Sequence, residues 1–314
     1  MKPNLSSNPL KNRFAPSFRP VNRFLWKLTV LLRGVYRAVF SSQTGTADAN
    51  RRSGDVARQD DTPLASALLS VIEQQALRFS VSPAIHPADH IFKFIMGHPR
   101  FESDEARVRY YFEDGANSAT QFAELLHKFC GQTRRIPRVL EFASGYGCVT
   151  RHLVRNKDFT LESCDIHAAA IDFLQTKIGV RAVGSSSFPE NLSLPHEFDF
   201  VFALSFFSHM PITTWTRWLV RLTQYVRSGG VLAFTTHGMT SKPLLGDPEI
   251  PANGFWFTAV SEQSDLSTEE YGSTIVTEDF VSKNVLSISS VELLDTRTAY
   301  WWGHQDLYVL RKTP

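Results

Sequence analysis

The stretch V-L-E-F-A-S-G-Y-G, from Val139 to Gly147, decides the fold class. An apolar strand pattern carries an acidic residue, Glu141, near its end and runs into a turn with glycines at 145 and 147, after which a helical pattern begins. Glycine permits a tight turn and lets the backbone approach a ligand closely. Such turns stand at the carboxyl ends of parallel strands, where open α/β sheets bind nucleotides. The alternative is a β–α turn that binds nothing, because Gly-x-Gly alone is a weak signal.

Strand and helix patterns alternate on the C-terminal side of this turn. Strands are predicted at 138–142, 160–164, 180–183, 198–203 and 230–236, and extended segments at 287–294 and 306–311. Helices are predicted at 148–156, 167–177, 213–226 and 277–285. This alternation predicts an α/β fold with a mostly parallel sheet and helices on both faces. The short connection at 301–305 predicts that the last two strands form an antiparallel pair at the sheet edge.

The chain upstream of this region divides into a basic arm and a helical segment. Residues 1–62 are predicted to be a largely disordered arm, with a polar linker at 41–62. An amphipathic helix is expected at 21–40, with one face carrying Arg23, Lys27, Arg33 and Arg37. That pattern is typical of a helix on a membrane surface. Packing on the domain or a partner chain, and a cleaved transit peptide, are the alternatives.

The remaining chain is divided into two parts. Residues 63–135 form a helical N-terminal region, and residues 136–314 form the core domain. Helices are predicted in the first part at 63–80, 91–98 and 117–130, the last capped by Asn117. The core contains a long insertion at 238–276, whose aromatic residues argue against disorder and favour a functional lid; a local hydrophobic cluster under the loop is the alternative.

Composition narrows the class of protein. Residues 1–60 carry 11 Lys and Arg against 3 Asp, whereas the rest carries 22 basic against 28 acidic residues. A mildly acidic body does not favour a nucleic-acid partner. No apolar run is long enough to span a membrane. The three cysteines match no zinc pattern, and no metal is expected. Their odd number, without a paired framework, favours a reducing compartment, so the expected location is the cytoplasm. Peripheral contact with a membrane surface is expected through residues 21–40.

A carboxylate at the end of the second predicted strand indicates the ligand. Asp165 stands 18 residues after Gly147 and can accept both hydroxyls of a ribose. The alternative is a surface Asp that caps the helix beginning near His167. The dinucleotide fingerprint G-x-G-x-x-G needs glycine at position 150, where Thr150 stands. Glu141 would repel a diphosphate but suits a sulfonium cation with an ammonium group, which favours S-adenosylmethionine (SAM) over NAD.

The segment 138–236 resembles the class I SAM-dependent methyltransferases, which are Rossmann-like enzymes. The matching stretches are V-L-E-F-A-S-G-Y-G (139–147), S-C-D-I-H (163–167), F-D-F-V-F-A-L (198–204) and R-S-G-G-V-L-A-F-T-T (227–236). The resemblance implies a seven-stranded sheet with an antiparallel last strand, SAM as cofactor, and methyl transfer as the reaction.

The same resemblance implies which residues contact the cofactor. These are Glu141, Ala143, Gly145, Gly147, Asp165, Ile166, Ser186, Ser187 and Ala203. The Gly145–Gly147 turn is expected to hold the methionine end of SAM, Asp165 the ribose, and the Ser186–Ser187 stretch the adenine. The chain departs from the family's pattern at Ala143, where glycine is frequent, and in the loop after the third strand, which lacks the family's frequent Asp.

Two histidines follow the fourth and fifth predicted strands, at the rim that faces the methyl donor. Since a base that removes the hydroxyl proton assists O-methylation, His209 and His237 are the predicted catalytic residues. The alternative is that each histidine binds backbone and shapes the pocket. The stretches 110–115, 236–238 and 303–306 resemble a bacterial subgroup that often acts in glycan or secondary-metabolite pathways. The expected acceptor is therefore a small molecule or glycan. The competing hypothesis is an inactive methyltransferase fold that binds a partner or a membrane.

Overall fold

The computed structural model describes residues 66–131, 135–261, 263, 266–267 and 269–314. The predicted arm at 1–62, with its helix at 21–40 and its expected membrane contact, lies outside these residues. Within the described ranges, no helix is both long enough and apolar enough to pass through a membrane.

Seven strands form one sheet in the order β3-β2-β1-β4-β5-β9-β8. They are β1 (Arg138–Phe142), β2 (Thr160–Asp165), β3 (Arg181–Gly184), β4 (Phe198–Ala203), β5 (Val226–His237), β8 (Val291–Trp301) and β9 (Gln305–Lys312). The first five pair in parallel, whereas β9 is antiparallel to both of its neighbours, β5 and β8. This topology confirms the predicted fold class, including the antiparallel pair at the edge.

Helices precede the sheet and cover both of its faces. They are α1 (Ser66–Phe79), α2 (His90–Gly97), α3 (Asp104–Cys130), α4 (Thr150–Leu153), α5 (Ala168–Phe173), α6 (Ile212–Gln224) and α7 (Glu278–Leu286). The described part of the insertion holds a 3-10 helix, Met239–Leu245, and a hairpin of two strands, β6 (Phe255–Thr258) and β7 (Ser273–Val276). Another 3-10 turn lies at Pro189–Asn191.

Helix α3 is longer than the sequence predicts, and Asn117 lies inside it rather than at its cap. The helix begins where the Ser103 side chain accepts a hydrogen bond from the backbone N–H of Ala106, 3.2 Å away. Acidic residues in the first turn suit the positive end of the helix dipole. The added turns are stabilised by burial, since Val108 and Tyr111 are fully buried against α1 and α2.

Two helices after the glycine turn also differ from expectation. The predicted helix at 148–156 is reduced to α4, because the Asn156 N–H turns back to the carbonyl of Leu153 at 3.0 Å. The predicted helix at 167–177 changes after α5 into a π-helical turn, Leu174–Ile178. There the N–H groups of Gly179 and Val180 both donate to the carbonyl of Leu174. Gly179 adopts a left-handed φ of 82°, which ends the helix.

Aromatic packing fixes the helices on the two faces of the sheet. Phe122 of α3 lies 5.4 Å from Phe200 and 5.2 Å from Phe202, measured between ring centroids. On the opposite face, Trp215 and Trp218 of α6 are fully buried in the larger core cluster. With both faces covered, the carboxyl ends of β1, β2, β4 and β5 meet at one rim.

Candidate cofactor and acceptor site

A cavity opens at this rim, between the sheet and the N-terminal helices. Its walls come from the glycine turn, from α2 and α3, from the β4–α6 loop, from the insertion, and from the β8–β9 turn. Predicted cofactor residues that line it are Glu141, Ala143, Gly145, Asp165, Ile166, Ser186 and Ser187. Gly147 and Ala203 are not part of its wall, and of the two predicted histidines only His209 is.

The glycine turn is built from three left-handed residues. Ala143, Gly145 and Gly147 have φ angles of 57°, 55° and 81°. The left-handed conformation costs a residue other than glycine about 1–2 kcal/mol, and this cost applies to Ala143. A Cβ on Gly147 would lie 2.9 Å from the Cδ2 of Leu174, whereas one on Gly145 would meet nothing within 4 Å. Gly147 is therefore required for packing, and Gly145 leaves the backbone open to the cavity.

Asp165 connects the end of β2 to the glycine turn. Its Oδ2 accepts the backbone N–H of Gly145 at 2.8 Å, and its Oδ1 accepts that of His167 at 3.0 Å. The same Oδ1 lies 2.9 Å from Nδ1 of His167. Asp165 is only 5% exposed and is not the cap of α5, so it is not a surface capping residue. Among the described residues its Oδ2 has one donor only, so the second lone pair of this oxygen can accept a ligand hydroxyl.

Glu141 lies beneath the turn in a buried position. Its Oε2 accepts hydrogen bonds from the hydroxyls of Thr150 at 2.7 Å and Ser163 at 3.3 Å. Burial, with a smaller contribution from the nearby charge of Asp165, raises the pKa of Glu141 to about 7, although the two hydroxyl hydrogen bonds lower it. The carboxyl is thus close to half ionised at neutral pH, and a cation beside it would favour the ionised form.

The two predicted catalytic histidines occupy different environments. His209 lines the cavity, and its Nδ1–H donates to the carbonyl of Gly272 at 2.7 Å. Its ring stacks on Tyr271 with centroids 4.5 Å apart. Because a carbonyl can only accept, the neutral imidazole carries its proton on Nδ1, and Nε2 is the basic nitrogen.

His237 lies behind His209, with ring centroids 6.0 Å apart. Burial, together with His304 and His209, holds the pKa of His237 well below its usual range, so this ring is neutral. Its exposed fraction is 8%, and the structure does not place it in the cavity wall.

Other residues of the cavity were not assigned from the sequence. The Oδ1 of Asp114 in α3 accepts the indole N–H of Trp302 in the β8–β9 turn at 2.7 Å. Asp114 lies in the stretch 110–115 and Trp302 in the connection at 301–305, both noted in the sequence analysis, but no local pattern indicated that the two residues meet. Across the described part of the chain, no group of histidine, cysteine and acidic side chains is arranged to hold a metal ion.

Comparison with known proteins identifies the domain. The family model of the methyltransferase domain matches residues 139–230. Together with the sheet topology and the glycine turn, this match shows that the chain carries a class I SAM-dependent methyltransferase domain, a transferase of one-carbon groups whose cofactor is SAM. No curated protein sequence matches the chain.

Several solved structures are similar to the chain at low sequence identity. The glycopeptide N-methyltransferase MtfA with SAM is 12% identical, with 64% of this chain and 95% of that chain covered and a TM-score of 0.45. The N-terminal domain of EvdMO1 with SAH and D-fucose is 16% identical, with coverages of 64% and 83% and a TM-score of 0.42. The N-methyltransferase NodS from Bradyrhizobium japonicum WM9 is 14% identical, with coverages of 65% and 97% and a TM-score of 0.43.

Proposed function

We propose that this chain transfers the methyl group of SAM to a hydroxyl group of a small-molecule or glycan acceptor. The observation that carries the proposal is His209, a histidine in the cavity wall whose tautomer is set by the Gly272 carbonyl. A base at this position suits a hydroxyl acceptor, which must lose a proton as it is methylated.

The open backbone at the glycine turn and the charge of the cavity wall support this proposal. At Gly145 the backbone faces open space, so a ligand can approach it closely. The carboxyl groups of Glu141 and Asp165 line the same cavity, and its described wall contains no Lys or Arg. Such a wall attracts the ammonium and sulfonium groups of SAM and repels a diphosphate. Asp165 would accept the ribose hydroxyls, Glu141 would face the ammonium end, and Ser186 and Ser187 would border the adenine.

When bound, SAM supplies an electrophilic methyl group on a positively charged sulfur. The chain's own contribution is to align the acceptor oxygen with that methyl group and to exclude water. Nε2 of His209 takes the hydroxyl proton while the new O–C bond forms and the S–C bond breaks. The acceptor gains a methyl ether, the cofactor leaves as a neutral thioether, and His209 returns its proton to solvent.

The test compares two variants in which histidine is replaced by asparagine. His209→Asn keeps an amide N–H near the position of Nδ1 but removes the basic Nε2, so turnover should fall by roughly 10²–10⁴-fold. SAM affinity should change little, because His209 is not in the cofactor turn. His237→Asn is the matched control. Turnover is followed by mass spectrometry, as the gain of one methyl group in a metabolite extract incubated with protein and SAM.

Three outcomes would contradict parts of this proposal. If His209→Asn turned over at the wild-type rate, His209 would not be the catalytic base. A loss confined to His237→Asn would transfer the role to that residue. If the wild-type protein did not bind SAM in calorimetry, the proposed methyltransferase activity would be wrong. The hypothesis of an inactive methyltransferase fold that binds a partner or a membrane would then be favoured.

A further inference from the structure

The α3 helix and the β8–β9 turn form a wall of the cavity that the proposed cofactor contacts do not use. They meet at the 2.7 Å bond between Asp114 and the indole of Trp302, and the Asp114 carboxyl also accepts the hydroxyl of Tyr110. These two donors fix the orientation of the carboxyl group. Burial raises the pKa of Asp114 to about 6, so it is mostly ionised at neutral pH.

Trp302 occupies a backbone conformation that a bulky residue rarely adopts. Its φ is +52°, in the left-handed region, and Gly303 follows with φ +72°. Such a conformation costs on the order of 1–3 kcal/mol and persists where the surrounding structure holds it. Here the bond to Asp114 and a stacked contact with His304, at 6.1 Å between centroids, hold the indole. Glycine or asparagine would fit this backbone at lower cost, so the position is used for its side chain.

The charges of the cavity wall restrict what can bind beside the cofactor. Its carboxylates are Asp89, Asp114, Glu141, Asp165 and Glu270, and the described wall holds no Lys or Arg. Asp89 is 2% exposed and both of its oxygens are engaged, since Oδ1 accepts the N–H of Phe92 at 2.9 Å and Oδ2 accepts the hydroxyl of Tyr111 at 2.6 Å, whereas Asp114 is partly exposed. With Glu141 and Asp165 assigned to SAM, Asp114 and Glu270 remain for the acceptor.

Two repulsions then act on a charged acceptor. A phosphate or carboxylate group would face Asp114 and Glu270, which carry the same sign. An ammonium group would lie near the sulfonium of SAM, again with like charge. A neutral molecule that donates hydroxyl hydrogen bonds avoids both, and hydrogen bonds to a charged acceptor are worth more than neutral ones.

We propose that Asp114 and Trp302 form the acceptor subsite and select a neutral hydroxylated ring, a sugar in chemical class. Asp114 accepts a hydrogen bond from a ring hydroxyl, and the indole of Trp302 packs on the ring face. This inference rests on the proposed function, because it assumes that SAM occupies the Glu141–Asp165 part of the cavity.

The experiment uses the full chain saturated with S-adenosylhomocysteine (SAH), and its probes are a panel of neutral methyl glycosides and their 6-phosphates. Binding is measured by saturation-transfer NMR. The neutral glycosides should bind, and the corresponding 6-phosphates should not bind at the same concentration. Asp114→Asn keeps the shape but removes the charge, and should weaken glycoside affinity about 10-fold or more. Glu113→Gln removes a charge one residue away, from a partly exposed side chain paired with Arg78, and is the matched control.

A second pair of variants tests the ring face. Trp302→Phe keeps an aromatic surface and should retain glycoside binding, whereas Trp302→Leu should lose it. SAH affinity and the far-ultraviolet circular dichroism spectrum should be the same in all variants, which separates loss of the subsite from loss of the fold.

The inference is overturned if no neutral glycoside binds, if the 6-phosphates bind as well, or if Asp114→Asn and Glu113→Gln behave alike. Failure of the wild-type chain to bind SAH would be a different result. It would overturn the proposed function itself, and with it the basis of the subsite.

Discussion

Replacing Glu141 by glutamine should make the protein more stable than the wild type at alkaline pH and should lower its affinity for SAM. Glu141 is 4% exposed, and its hydrogen-bond partners are the hydroxyls of Thr150 and Ser163. Those two bonds do not offset the cost of burying a charge, which is why the pKa of Glu141 stands at about 7. Glutamine keeps an oxygen that can accept from Thr150 and is neutral at every pH.

The magnitude follows from the difference between the folded and unfolded carboxyl. Raising its pKa from 4.5 to about 7 corresponds to about 3 kcal/mol, at about 1.36 kcal/mol per pH unit. Between these two pKa values the folded state binds the proton and the unfolded state has lost it. The free energy of unfolding therefore falls as the pH rises through this window, and the full loss is reached above pH 7.

The assay is urea unfolding of ligand-free wild type and Glu141→Gln at pH 5 and pH 8, followed by circular dichroism. The variant should be more stable than the wild type by less than about 1 kcal/mol at pH 5 and by about 3 kcal/mol at pH 8. Calorimetry at pH 8 should show SAM affinity reduced by about tenfold or more, because the ammonium group loses a charged partner. A stability difference that does not change with pH would refute the reasoning, as would unchanged SAM affinity.

Two further variants test the cofactor contacts. Asp165→Ala should weaken SAM binding by on the order of 1–3 kcal/mol through the loss of charge-assisted hydrogen bonds, measured by calorimetry, and equal affinity would contradict the ribose assignment. Gly145→Val should abolish SAM binding, because it places a β-branched side chain in a left-handed conformation facing the cavity. A normal binding isotherm for that variant would exclude the glycine turn from the cofactor site.

The parts of the fold that the sequence predicted are those whose signals are local. The apolar runs of β1 and β4 are buried along almost their whole length, so their strands could be recognised without knowing their neighbours. The start of α3 could not be recognised in this way. Its first turns are charged and contain Gly115, and only packing against α1 and α2 buries Val108 and Tyr111. Tertiary contacts there override a weak local pattern.

The same distinction separates the two halves of the cavity. The proposed cofactor half could be predicted from the sequence because Glu141, Gly145 and Asp165 lie within a short strand–turn–helix–strand unit with a recognisable pattern. The proposed acceptor half depends on a bond between residues 188 positions apart, Asp114 and Trp302. Neither residue type has a spacing that predicts the other, so the pair becomes visible only when β9 brings the β8–β9 turn back beside α3.

One buried side chain explains why the helices ahead of the sheet cannot be treated as an accessory. Arg151 of α4 is 1% exposed, and its Nε–H donates to the carbonyl of Gly147 at 3.0 Å. Its Nη1 donates to carbonyls at residues 82 and 84, both at 2.9 Å. Its Nη2 donates to the hydroxyl of Tyr111 at 3.1 Å, and that hydroxyl donates to Asp89.

This network joins the glycine turn to the α1–α2 connection, to α3, and to the cap of α2. Breaking a buried charge network from one side costs about 3–5 kcal/mol, because the remaining charge is left without its partner. The glycine turn and the helices α1 to α3 therefore cannot shift independently without breaking this network. We infer that residues 66–130 are part of the site rather than a separate region, and that changing the acceptor requires changes in α3 that keep Arg151 and Tyr111 in place.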